Sequence, residues 1–501
     1  MLLASFALAQ DLDQLEAGPY EVATWDWDWG SFETTNPDTG RPLVVDNYGR
    51  MAYPTNPDGS VAEGSFPVVV FAHGRFHSGP TLYLNHLEAG YLLERLASWG
   101  IIATSVNLDV VGEFSFPAAI PQRGDLIRET LARTYDVDAQ PGVPPAGLSA
   151  AVDDSRAVII GHSRGGEGSV AAAVQNAAIG SPLPIVGVGT IAPTDFEGYT
   201  LDGMPYMGLY GSKDGDVSSG MPIFLHDRST ADTKLFHYIH GANHFFFTES
   251  ITFGGEGDAD ISRGLHHDLA MGYLGSFAYR QLFEPDEPSS VFVGPEVAPL
   301  TDAADVISMY SDPDHFTIDG FETGSGLGTT DIGTSVLGRG WGFADEVSMN
   351  NTGRTLYHET NGLELNWSSG SPFWAAILPD ADFDATPWAY LSLKLAQLET
   401  SGLNTRGAEQ DLSVGIRDVD GDLALVRLSD HGRIAWPITH EGGFWYDTFP
   451  DKTVLHTTRI PLAAFAAANP ALDLDRLNGV GIRADITASG HLFLDDVEFT
   501  Q

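Results

Sequence analysis

From residue 18 to about residue 283 the chain alternates apolar, β-branched runs with stretches whose apolar positions recur at helical spacing. Runs at 67–72, 101–107, 157–160, 185–191, 206–210 and 234–239 predict strands. Stretches 83–99, 122–134 and 266–282 predict amphipathic helices, the first stopped by Gly100. This alternation predicts an α/β fold with a mostly parallel sheet flanked by helices. Upstream, Trp25, Trp27 and Trp29 alternate with Asp26 and Asp28, which sets three indoles on one strand face. They are expected to pack against the first hairpin; the alternative is a platform for an aromatic polymer.

The pattern changes beyond residue 317. Short alternating runs recur between Gly/Asp/Asn turns at 362–367, 373–378, 388–395, 411–416, 423–428, 453–460, 479–484 and 491–499, which predicts an all-β sandwich. A length of 501 residues exceeds one ordinary core. The expected division is an N-terminal extension over 1–17, a catalytic domain over 18–290, a linker over 291–316 and an accessory domain over 317–501.

Charge narrows the partners. There are 25 basic against 68 acidic residues, a net charge of −43, and lysine occurs only at Lys213, Lys234, Lys394 and Lys452. Such a surface repels nucleic acid and anionic membranes, so neither is an expected partner. Lysine depletion alongside the acidity points to adaptation to high salt, against plain secreted acidity. The chain has no cysteine, which excludes disulfides and thiolate chemistry. Residues 1–10 form a short apolar run closing on Ala7-Leu8-Ala9, the look of the end of a secretory signal, so a secreted, extracellular protein is expected.

The chemistry centres on Gly161-His162-Ser163-Arg164-Gly165, which follows an apolar strand and precedes a small-residue helix. In that context Gly-x-Ser-x-Gly is a nucleophile elbow: the glycines allow a sharp strand-to-helix turn that lifts the serine hydroxyl to a helix N-terminus. A serine needs a base, and the base needs an orienting carboxylate. The acid follows the strand ending at Tyr210-Gly211: Asp214 is the choice and Asp216 the alternative. His244, in His240-Gly241-Ala242-Asn243-His244, is the base, completing the order Ser, acid, His. His162 directly precedes the nucleophile and points away from it, and His266 and His267 carry no signal. The oxyanion donors are expected to be the backbone N–H groups of Arg164 and of Arg75, in the loop His73-Gly74-Arg75-Phe76.

With these motifs in order, residues 18–283 resemble the bacterial cutinase and polyester-hydrolase branch of the α/β-hydrolase superfamily, which includes dienelactone hydrolase-like enzymes. The corresponding segments include Gly49-Arg50-Met51-Ala52-Tyr53-Pro54, the loop at Gly74, Ala192-Pro193 and Gly241-Ala242-Asn243-His244. The resemblance implies hydrolysis of small-molecule or polymeric carboxylic esters through an acyl-serine, with no catalytic cofactor. It departs where those enzymes carry a clamping Trp after the Ala-Pro; here Thr194 takes that place. Phe76 and Phe245–Phe247 line the acyl pocket or belong to the core. Residues 317–501 resemble a jelly-roll, galactose-binding-like carbohydrate-binding module, which implies a structural calcium with Glu322 and Asp496 as ligands, and sugar stacking by Trp374, Trp388, Trp436 or Trp445. Rival readings are an esterase that deacylates polysaccharide and a non-enzymatic surface adhesion protein.

Overall fold

A computed structural model describes residues 16–75, 84–111, 119–230, 233–251, 259–283, 304–311, 313–324, 326–379, 382–437 and 452–501. The chain divides into two compact units, one of Met1–Ala231, Gly241–Val291 and Ala298–Ala304, the other of Asp232–His240, Phe292–Val297 and Asp305–Gln501. The expected signal remnant at 1–10 lies outside the described residues.

The first unit is mixed α/β. Strands β1 (Glu21–Thr35) and β2 (Pro42–Thr55) form an antiparallel hairpin. They lead into β3 (Phe66–Ala72), β4 (Ile102–Val106), β5 (Val152–His162), β6 (Ile185–Ile191) and β7 (Tyr206–Gly211), in the order β1-β2-β4-β3-β5-β6-β7. Strand β2 meets β4 antiparallel, and the pairs from β4 through β7 are parallel. Every residue of β3 is buried, as an unbroken apolar run must be in a sheet covered on both faces. Each such Val or Phe side chain contributes roughly 1.5–3 kcal/mol on burial.

Helices α1 (Gly90–Ser98), α2 (Ile120–Tyr135), α3 (Leu148–Ala151) and α4 (Arg164–Ala178) fall between these strands. Helix α5 (Met221–Arg228) follows β7. The predicted helix 266–282 is α6 (Arg263–Ala270), a π-helical turn (Met271–Gly275) and α7 (Ser276–Phe283). Its π turn is invisible to a periodicity of 3.6. Trp27 and Trp29 are buried and stack at 3.8 Å, and the Trp27 indole N–H donates to Thr104 Oγ1 at 3.1 Å. Two of the three indoles are therefore core, as expected.

The second unit is antiparallel. Strands β8 (Lys234–Ile239) and β9 (Val306–Ser311) pair with each other; β9 falls within the stretch expected as a linker. One further sheet runs β12 (Phe343–Asn351), β13 (Leu356–Trp367), β20 (Gly490–Thr500), β15 (Tyr390–Gln397), β18 (His456–Pro461), with β10 (His315–Asp319) on β20. The other runs β11 (Val336–Arg339), β14 (Phe373–Ile377), β19 (Leu477–Arg483), β16 (Ser413–Asp418), β17 (Leu423–Arg427). Inward residues of both, among them Leu363, Trp367, Trp374, Leu393, Val414 and Ile482, form one apolar core. Alternation of inward and outward side chains makes those runs legible.

Candidate active site

Ser163 stands at the junction of β5 and α4 with φ 57° and ψ −127°, a left-handed backbone for a non-glycine residue. Strain of this kind marks a side chain held in place by its surroundings. The flanking glycines have identifiable work. A Cβ at Gly161 would lie 2.2 Å from the Gly165 carbonyl oxygen, and one at Gly165 would lie 2.1 Å from that of Ala72 and 2.5 Å from that of His73. The turn therefore closes on itself and abuts the end of β3 only without side chains there. The Ser163 N–H donates to the Ile191 carbonyl at 2.8 Å, and its own carbonyl accepts from Gly166 N–H at 2.8 Å. The first-turn N–H of Arg164 has no intrahelical acceptor, which suits it to a developing oxyanion.

The loops that carry Asp214 and His244 are laced together. Lys213 N–H donates to the Ala242 carbonyl at 2.8 Å, and Gly241 N–H donates to Ser212 Oγ at 2.8 Å. Gly211 lacks a side chain where the Ala242 carbonyl comes in, 2.4 Å from a built Cβ. This lacing brings His244 Nδ1 to 2.7 Å from Asp214 Oδ2, with both side chains wholly buried. Asp214 Oδ1 accepts from the N–H of Asp216 (3.0 Å) and of Val217 (2.7 Å), so the carboxylate is aimed by its own turn. With Nδ1–H donating to the carboxylate, Nε2 carries the lone pair a base requires. Asp216 lies on the other side of the ring, Oδ2 3.5 Å from Nε2, and its side chain is 53% exposed.

The base loop has a second support. His266 Nε2 accepts from Asn243 N–H at 3.0 Å, which leaves its Nδ1–H to donate to the Ser262 carbonyl at 2.8 Å. Burial lowers the His266 pKa to about 4, so this clamp is neutral. The two chain neighbours of Ser163 face different groups. The His162 ring lies 4.5 Å from that of His244, and the charge of Asp216 acts on Arg164. Burial and then the His244 charge hold His162 well below the usual imidazole range.

Across the elbow, His73 fixes the end of β3. Its Nε2 accepts from Leu108 N–H at 2.7 Å and its Nδ1–H donates to the Gly74 carbonyl at 2.6 Å. Burial first, then Arg123, lowers its pKa to about 3. Arg75 follows two residues on, while Phe76 lies outside the described residues. Thr194 is buried beside Ser163: its N–H donates to the Ser163 carbonyl at 3.3 Å and its hydroxyl to Glu167 Oε2 at 2.6 Å. Glu167 also accepts from Glu197 N–H at 2.7 Å. Phe245 is buried edge-on to His244, ring centres 5.0 Å apart.

Motif reasoning names His73 only as part of its loop, sets His162 and His266 aside, and gives no part to Glu167, whose place in the first turn of α4 is a local cue. The others act through folded neighbours.

The expected calcium ligands hold other partners. Glu322 accepts from Asn361 N–H at 3.0 Å and from the Thr360 hydroxyl, and Asp496 pairs with the Lys394 ammonium. An ammonium already on Asp496 does not fit a cation site there. Among the described residues no group of three or more His, Cys, Asp or Glu side chains is placed to hold a metal. Trp374 is 1% exposed in the core, out of reach of a sugar, and Trp445 lies outside the described residues. Among the described residues no helix is long and apolar enough to cross a membrane.

No known protein family matches the chain, and no curated protein matches it. The resemblance of residues 18–283 to the α/β-hydrolase superfamily, and of 317–501 to carbohydrate-binding modules, is corrected accordingly. The described residues form a mixed α/β sheet and antiparallel sheets elsewhere with only 23% helix, and there is no family evidence for either assignment. The physical reason is that an elbow glycine pair, a carboxylate after a strand and a late histidine are what the chemistry demands. Such constellations recur on unrelated folds, so they specify a site and not a lineage.

Proposed function

We propose that this chain is a serine carboxylic ester hydrolase that works through an acyl-serine intermediate. Two observations carry the reading: the wholly buried pair of His244 Nδ1 and Asp214 Oδ2 at 2.7 Å, and a serine at left-handed φ on a helix start. In this reading His244 Nε2 takes the Ser163 proton as Oγ bonds to the ester carbonyl carbon. The oxyanion is met by the N–H groups of Arg164 and Arg75. His244 then gives its proton to the departing alkoxide as the C–O bond breaks. Water, deprotonated by the same nitrogen, releases the acid and restores the serine. Asp214 holds the tautomer and offsets the imidazolium charge. The acidic surface supports a role outside the cell in saline surroundings.

The test is release of nitrophenolate from 4-nitrophenyl butyrate. An initial burst matching the enzyme concentration is expected from acyl-enzyme accumulation. No release above buffer removes the reading and leaves the adhesion alternative.

A further inference from the structure

Acidic residues outnumber basic ones 68 to 25, and Arg50, Arg133, Arg228, Arg354 and Arg433 each hold a carboxylate. Three arginines around the elbow do not. Among the described residues neither Arg75, Arg123 nor Arg164 forms an ion pair.

Arg123, on α2, is 0% exposed. Its Nη1 donates to the His73 carbonyl at 3.4 Å, and its Nε and Nη2 are buried without a hydrogen-bond partner. That same carbonyl lies against Gly165, two residues beyond Ser163. The slot it occupies exists because α4 carries Gly168, where a Cβ would lie 2.9 Å from Arg123 Cβ. Arg164 Nη1 is also buried without a hydrogen-bond partner among the described residues, its guanidinium lying over the Phe196 ring. The three charges act on one another: burial and then Arg164 lower Arg123 to about 9, and burial and then Arg75 lower Arg164. Among the described residues the nearby carboxylates hydrogen-bond or lie against other groups, Asp109 with Asn85 through Oδ1, Glu167 with Thr194, and Asp216 beside His244.

We propose that Arg75, Arg123 and Arg164 form an anion subsite, and that the substrate is an ester bearing a carboxylate close to the scissile group. The inference rests on the ester-hydrolase reading above. A buried guanidinium with no carboxylate in hydrogen-bonding contact is unfavourable even where the charges of Asp109 and Glu167 act on it, and its planar fork of donors matches a carboxylate. The field of the whole protein works the other way: a net charge of −43 disfavours anionic substrates unless a local site reverses it.

Two ester pairs test the proposal. For a carboxylate on the acyl side, 4-nitrophenyl hydrogen adipate is compared with its neutral methyl ester. For one on the leaving group, 4-acetoxybenzoate is compared with methyl 4-acetoxybenzoate. In the wild-type protein, kcat/KM should favour the anionic member of one pair by about tenfold or more. Arg123→Met should bring that ratio to about one or below, and Arg123→Lys, which keeps the charge without the fork, should fall between. A wild-type ratio at or below one in both pairs overturns the subsite, whatever the variants do. Failure of the hydrolase reading looks different: none of the four esters is cleaved. Calorimetry with monomethyl adipate and with 4-acetoxybenzoate then decides. Binding that is weakened in Arg123→Lys keeps the subsite, and no binding of either removes it.

Discussion

His162 and His244 lie ring against ring, 4.5 Å between centroids and tilted by 36°. The residue before Ser163 thus sets one wall for the His244 ring. His162 is held neutral by burial, so its part is positional and uncharged. His162→Ala should lower kcat about ten- to a hundredfold by letting the imidazole shift, with KM little changed. His162→Phe, which keeps a ring there, should recover most of the loss. Equal losses in both variants would contradict a positioning role.

Asp214 and Asp216 both reach His244, but on different nitrogens and in different surroundings. Asp214 is wholly buried against Nδ1, whereas Asp216 is half-exposed beside Nε2 at 3.5 Å. Asp214→Asn should lower kcat on the order of 10⁴, because the amide favours the wrong tautomer. Asp216→Asn should change it by less than about tenfold, as an exposed charge at that distance is well screened. The reverse ranking in steady-state kinetics would exchange their roles.

Glu167 ties Thr194 to the first turn of α4, and burial raises its pKa above the usual carboxylate range. A raised folded-state pKa means the native protein binds a proton more tightly than the unfolded chain. This contribution to stability is complete below the ordinary value near 4.5 and is lost as pH rises through the folded value. Glu167→Gln keeps the carbonyl acceptor and removes the titration. Urea unfolding should therefore show the wild type gaining on the variant as pH falls from 7 towards 5. A difference independent of pH would contradict the assignment.

The net charge of −43 stores self-repulsion, and the Debye length shrinks from about 10 Å at 0.1 M salt to about 3 Å at 1 M. The thermal midpoint should rise by several degrees between 0.1 and about 2 M, alike for sodium and potassium chloride. A flat or falling midpoint would reduce the acidity to a solubility feature.

The parts of the molecule legible in the sequence are those whose cause is local. Strand β3 is a run of apolar residues, and the elbow is set by which positions tolerate a Cβ. The antiparallel sheets follow from alternation at 363–365 and 391–395, where Leu363, Leu365, Leu391, Leu393 and Leu395 face one core. Asp214 was favoured over Asp216 on its place after Gly211; what separates them in the structure is lacing between Ser212–Lys213 and Gly241–Ala242, which no window of sequence contains. The same holds for His73 and Leu108, for His266 and Asn243, and for Arg123 beneath His73. The family resemblance failed for the converse reason: catalytic motifs record a chemical requirement and say little about the rest of the chain.

The most direct measurement of the central claim is covalent labelling. An alkyl fluorophosphonate reacts with a serine only where a base and an oxyanion site activate it. Peptide mass spectrometry of the labelled wild-type protein should place a single adduct on Ser163, with no adduct in Ser163→Ala and strongly slowed labelling in His244→Ala. Labelling at another serine, or no labelling of a folded protein, would contradict the account.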